Sequence, residues 1–98
     1  MTIEQIRQAV LPACHEFGVR RLDVFGSVAH GTSSPASDVD LLVEFGQPDH
    51  QPAKRFFGLL HLLEDTLGCE VDLLTANSLR NPYFRQQVTR EKVLLYEE

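Results

Sequence analysis

Gly26-Ser27-Val28-Ala29-His30-Gly31-Thr32-Ser33-Ser34-Pro35-Ala36-Ser37-Asp38-Val39-Asp40 is the stretch on which the fold turns. It begins with a small-residue turn, Gly26-Ser27, directly after an apolar run. It ends with two aspartates one residue apart, which open a second apolar run, Leu41-Leu42-Val43. Along a strand, residues i and i+2 share a face and lie about 6.5–7 Å apart. Two carboxylates in that relation can converge on one hard cation or on a pair of them. Mg²⁺ prefers one or two carboxylates plus the oxygens of a bound phosphate to an all-protein cage. The pattern points to metal-assisted phosphate transfer.

Working outward, Arg20–Phe25 alternates enough for a first strand, with Leu22 and Val24 on one face and Gly26 as its stop. Val28–His30 reads as a short helical turn before a loop, Gly31–Ser37, rich in Ser, Thr, Gly and Pro. Asp38–Phe45 is the second strand; Val39, Leu41, Val43 and Phe45 form an apolar face, opposite Asp38, Asp40, Leu42 and Glu44. Upstream, Thr2 can cap a helix over Ile3–Phe17, with Gly18 as the left-handed residue that ends it. Pro12 lies in the middle of that stretch and is expected to kink or divide it.

Downstream of the polar loop Gly46–Pro52, the spacing of Phe56, Leu59, Leu60, Leu63 and Leu67 predicts an amphipathic helix over Ala53–Leu67, closed by Gly68. Glu70–Thr75 is a third strand with Val71 and Leu73 opposite Asp72 and Leu74. Asn77 and Ser78 cap a short turn. Asn81-Pro82 then opens a helix lasting to Glu91, by the preference for proline in a first turn, and Val93–Tyr96 is a last short strand. The expected fold is α/β: one domain over residues 1–98, a small mixed sheet with helices mainly on one face and the acids on its open face.

At 98 residues, 43% hydrophobic and 23% charged, the composition is that of an ordinary globular chain. A net charge of −5 argues against nucleic acid as a direct partner, since such binding usually shows a basic stripe. Cys14 and Cys69 follow no zinc or redox spacing and read as free thiols. No leader pattern and no apolar run of membrane-spanning length is present, so a cytoplasmic protein with no membrane partner is expected.

Asp72, flanked by Val71 and Leu73, raises the same problem as Asp40. A carboxylate within an apolar strand is costly unless it is solvated, paired or bound to metal. Brought to one face, Asp38, Asp40 and Asp72 would suffice for a two-metal arrangement that holds a triphosphate and activates an acceptor hydroxyl, with Asp72 placed to take its proton. Gly26 lets backbone approach the phosphates, the N–H groups of the following turn attract anions, and Ser27 adds a hydroxyl. Ser37 could add another. Gly26-xxxx-Gly31 resembles the start of a P-loop, but Thr32 stands where the lysine should be, and that reading fails. His15, His50 and His61 have no ligand spacing and read as surface or packing residues; Arg80 and Arg85 read as a solvated face.

Gly26-Ser27-x-Ala29-x-Gly31, a spacer, then Ser37-Asp38-x-Asp40-Leu41 resembles the signature of the minimal nucleotidyltransferases of the DNA polymerase β-like superfamily. The resemblance extends through the strand Val71–Leu74 and the ending Pro82-Tyr83-Phe84…Val93-Leu94-Leu95-Tyr96 to nearly the whole chain. It implies the fold of that superfamily and transfer of AMP from ATP with Mg²⁺ to a hydroxyl, in several members a tyrosine of a partner HEPN-domain toxin. The chain would then act as the antitoxin in a hetero-oligomer. Asp38, Asp40 and Asp72 match the metal-binding catalytic acids; Gly26 and Ser27 match the phosphate-binding turn, with Ser37 beside the aspartate pair. Position 30 is His, where the family usually carries Arg or Lys, a permanent cation for the triphosphate. One alternative is an antitoxin that neutralises by binding alone. Transfer to a small molecule is another, but relatives of that kind carry a further substrate domain.

Overall fold

The computed structural model describes residues 2–31 and 38–98; Ser37 lies outside them. The elements are α1 (Ile3–Glu16), β1 (Val19–Phe25), α2 (Gly26–His30), β2 (Val39–Phe45), α3 (Pro52–Leu67), β3 (Val71–Thr75), a 3₁₀ turn (Ala76–Ser78), α4 (Pro82–Glu91) and β4 (Val93–Glu97). The strands form one mixed sheet in the order β3-β2-β1-β4. β1 is antiparallel to β2 and β4, whereas β2 and β3 are parallel. The parallel pair follows from α3, a connection long enough to carry the chain back to the same end of the sheet.

Local chemistry sets most boundaries. The Thr2 hydroxyl accepts from the Gln5 N–H at 3.1 Å, while the Gln5 side chain accepts from the Thr2 N–H at 2.8 Å, a reciprocal cap on α1. Gly18 and Gly68 take positive φ and turn the chain out of α1 and α3, as their positions predict. The Asn81 side chain accepts from the Tyr83 N–H at 2.9 Å and starts α4 ahead of Pro82. The division expected at Pro12 does not occur, and α1 runs undivided through it. Pro12 and Gln8, whose carbonyl loses a helical partner, are both exposed, so water can satisfy that carbonyl.

Alternation in the strands gives the sheet two unlike faces. Leu22, Val24, Leu41, Val43, Leu73 and Leu95 meet Ile6 and Val10 of α1 and Leu59 and Leu63 of α3 in the main core. Each such side chain, fully buried, contributes about 1.5–3 kcal/mol. The opposite face carries Asp23 and Phe25 of β1, Asp40 and Leu42 of β2, and Asp72 and Leu74 of β3. It is not left wholly open: Val88 of α4 joins Phe25 and Leu79 in a second, smaller cluster against Leu42 and Leu74. Asp23, 2% exposed, is held by both oxygens on the Arg21 guanidinium at 3.0–3.3 Å.

One side chain gathers the loops at the far end of the sheet. Arg55 donates to the carbonyls of Phe17, Gly18, Gly46, Gln47 and His50 at 2.6–3.0 Å, and its guanidinium lies 4.8 Å from the Phe45 ring centre. All five guanidinium N–H groups are thereby used. Among the described residues, no helix is long and apolar enough to cross a membrane.

Candidate active site

β2 and β3 pair in a register that makes Asp40 and Asp72 direct neighbours. In adjacent strands, partnered residues share a face about 4.8 Å apart, so the two carboxylates stand side by side. The Val39 N–H, donating to the Glu70 carbonyl at 3.1 Å, anchors this register just ahead of the pair. On the other flank of Asp40 is Phe25, its partner in β1. Asp72 is exposed on an edge strand and Asp40 is half-buried. Burial, reinforced by the charges of Asp72 and Asp38, raises the Asp40 carboxyl above the ordinary range.

Gly26 follows Phe25 at φ +72°, a left-handed conformation that side chains rarely adopt. A Cβ at this position would lie 2.2 Å from Oδ2 of Asp40. The space expected here for a phosphate is therefore first the space that Asp40 occupies. Ser27 comes next, in the opening turn of α2.

Gly26, Asp40 and Asp72 line a cavity of about 200 Å³ whose far wall is Phe84, Gln87 and Glu91 of α4. Phe84 stands edge-on to Phe25 with ring centres 6.2 Å apart. His30 Nε2 lies 2.9 Å from Oε2 of Glu91, so the imidazole is turned toward an acid on this wall. The wall residues went unassigned in the sequence, although their spacing, 84, 87 and 91, is that of one helix face. Asp23 shares the sheet face with Asp40 but is occupied by Arg21.

Among the described residues, no three His, Cys, Asp or Glu side chains come together as a metal-binding group. Asp38 precedes β2 and is exposed, and its charge still reaches Asp40. The donor set still suits a hard cation: carboxylate oxygens only, with Asp40 crowded by like charge, and Mg²⁺ completes its shell with phosphate and water oxygens. His15 packs edge-on against Tyr96, ring centres 5.7 Å apart, away from the acids.

A mixed sheet presenting paired acids beside a glycine turn is an arrangement suited to phosphate transfer. The family model described as nucleotidyltransferase domain matches residues 3–95. A candidate protein adenylyltransferase of Methanocaldococcus jannaschii is 38% identical over 96 residues, covering 95% of this chain and 97% of that one. The solved structure of a candidate minimal nucleotidyltransferase superposes with a TM-score of 0.77 at 38% identity, covering 95% of each chain. A complex of a tri-AMPylated Shewanella oneidensis HEPN toxin with its minimal nucleotidyltransferase antitoxin shares the fold, with a TM-score of 0.66 at 19% identity over 99% of this chain and 74% of that one. The chain belongs to the nucleotidyltransferase domain family, in its minimal nucleotidyltransferase branch, and is a nucleotidyltransferase enzyme.

Proposed function

We propose that this protein transfers AMP from ATP to a hydroxyl, that of a tyrosine, on a HEPN-domain toxin in the cytoplasm, and so acts as the antitoxin of the pair. The observation that carries the reading is the side-by-side placement of Asp40 and Asp72 next to the Gly26 turn. The relatives' assignment as protein adenylyltransferases supports AMP as the transferred group, and the AMPylated toxin of the Shewanella pair supports a protein acceptor.

In this reading Asp38 and Asp40, with Asp72, would hold Mg²⁺, which when bound neutralises charge on the phosphate oxygens. Gly26 and Ser27, with Ser37, position the triphosphate through backbone N–H groups and hydroxyls. Asp72, on the exposed edge, accepts the proton of the incoming hydroxyl. A bond forms from that oxygen to the α-phosphorus, the bond from the α-phosphorus to the bridging oxygen breaks, and pyrophosphate leaves. Half-burial of Asp40 orients its carboxylate while the open edge at Asp72 admits a protein acceptor.

The test is intact mass of a co-purified HEPN-domain partner after incubation with ATP and Mg²⁺. The wild-type chain should add AMP to it, and Asp38→Asn with Asp40→Asn should abolish the addition while circular dichroism stays native. Labelling that survives the double substitution sinks the assignment.

A further inference from the structure

Of the ten residues of α4, only Val88 is buried, whereas α1 buries Ile6, Val10, Ala13 and Cys14. A helix this polar gains little from packing on its own chain. Its cavity side is Phe84, Gln87 and Glu91. Around the rest of its circumference Pro82, Arg85, Gln86, Thr89 and Arg90 recur at helical spacing and, with Arg80, line a second groove of about 450 Å³. Three of the chain's nine basic residues meet there, although the net charge is −5, and no carboxylate among the described residues lines the groove. Arg85 is preset by its Nε–H donating to the Leu79 carbonyl at 2.9 Å. At the crown of the helix Tyr83 is 82% and Phe84 40% exposed. Arginine and aromatic side chains are the types enriched where proteins meet.

We propose that the outer face of α4, together with Arg80 just ahead of it, docks an acidic segment of the protein that receives the nucleotide. The proposal rests on the transfer reading above and adds the surface that selects the acceptor. Charge favours a peptide over RNA: a polyanion of any length would run onto a net-negative surface, whereas a short acidic segment needs only the groove. Because the same helix forms a wall of the catalytic cavity, a segment held on its outer side keeps a neighbouring hydroxyl within about 10–12 Å, one helix diameter, of that cavity.

The probe is a short fluorescein-labelled peptide copolymer of glutamate and tyrosine, no longer than the groove, titrated with the intact chain in the absence of ATP and followed by anisotropy at low salt. Arg80→Glu with Arg90→Glu should weaken binding about tenfold or more, as like charge meets like across a contact. Arg80→Lys with Arg90→Lys should retain most of the affinity, and added salt should weaken binding by the wild-type chain. Arg85 is left intact because it holds Leu79. Undiminished binding by the glutamate variant overturns the proposal, as does wild-type binding that salt does not touch. So does a wild-type preference for polyuridine RNA over the copolymer, which would make the groove a nucleic-acid site. The measurement needs no ATP, so failure of the transfer reading and failure of this one are seen separately.

Discussion

On one face of the sheet, α1 and α3 bury Ile6, Val10, Leu59 and Leu63 against the strands; on the other, α4 commits only Val88 beside Asp40 and Asp72. The first face is close-packed and apolar. The second holds like charges next to one another and balances only one of its acids, Asp23, with a described arginine. Crowded carboxylates cost stability, and they are tolerable where the other side of the same sheet supplies it. The difference separates a face that holds the fold from a face that is left available to ligands.

The sharpest way to break this division is to empty the packed side. Leu63→Ala, at a position 0% exposed, should lower stability by about 2–5 kcal/mol in urea unfolding. If substitution of Asp40 by Asn costs as much, the faces are not divided as described. A smaller effect is expected from Val88→Ala, about 1–2 kcal/mol for the lost apolar surface. Hydrogen exchange should quicken over α4 and stay unchanged in α3, because Val88 is the only buried residue of its helix.

The last effect is nil at neutral pH and appears only in alkaline solution. Burial in α1 pushes the Cys14 thiol from 9.0 up to about 12. The unfolded chain therefore loses this proton near pH 9 while the folded chain keeps it, and stability should fall as pH rises between about 9 and 12. Below that window Cys14 contributes no slope. Comparing urea midpoints of wild type and Cys14→Ala across neutral and alkaline pH isolates the contribution, since only the wild type carries it. Parallel curves would mean that Cys14 is reached by water.

Most elements were legible because turn chemistry is local: Gly18, Gly68 and Asn81-Pro82 each stand where the chain leaves or enters a helix. Asp40 and Asp72 were legible as acids out of place in apolar strands, and the order of elements put them on one face. What stayed hidden depends on partners distant in sequence. The undivided α1 at Pro12 rests on which carbonyl faces solvent, and the gathering of five carbonyls on Arg55 rests on loops that meet only in the fold. Gly26 was legible as a necessary glycine for a phosphate; that Asp40 fills its Cβ space required the β1–β2 register. Glu91 and Gln87 entered the cavity wall only once α4 was placed against β3 and Phe25.

The register between β2 and β3 has one more consequence. Slide β2 by a single residue and Leu41 and Val43 leave the core, so the error is expelled by packing itself. Slide it by two and every apolar side chain still points inward, yet Asp40 stands about 6.5–7 Å out of line with Asp72. Such a slide would also displace β2 against β1 and cost packing, but its sharpest loss falls at the paired acids. The pairing of Val39 with Val71 is thus the molecule's reading frame, and an error in it would part Asp40 from Asp72.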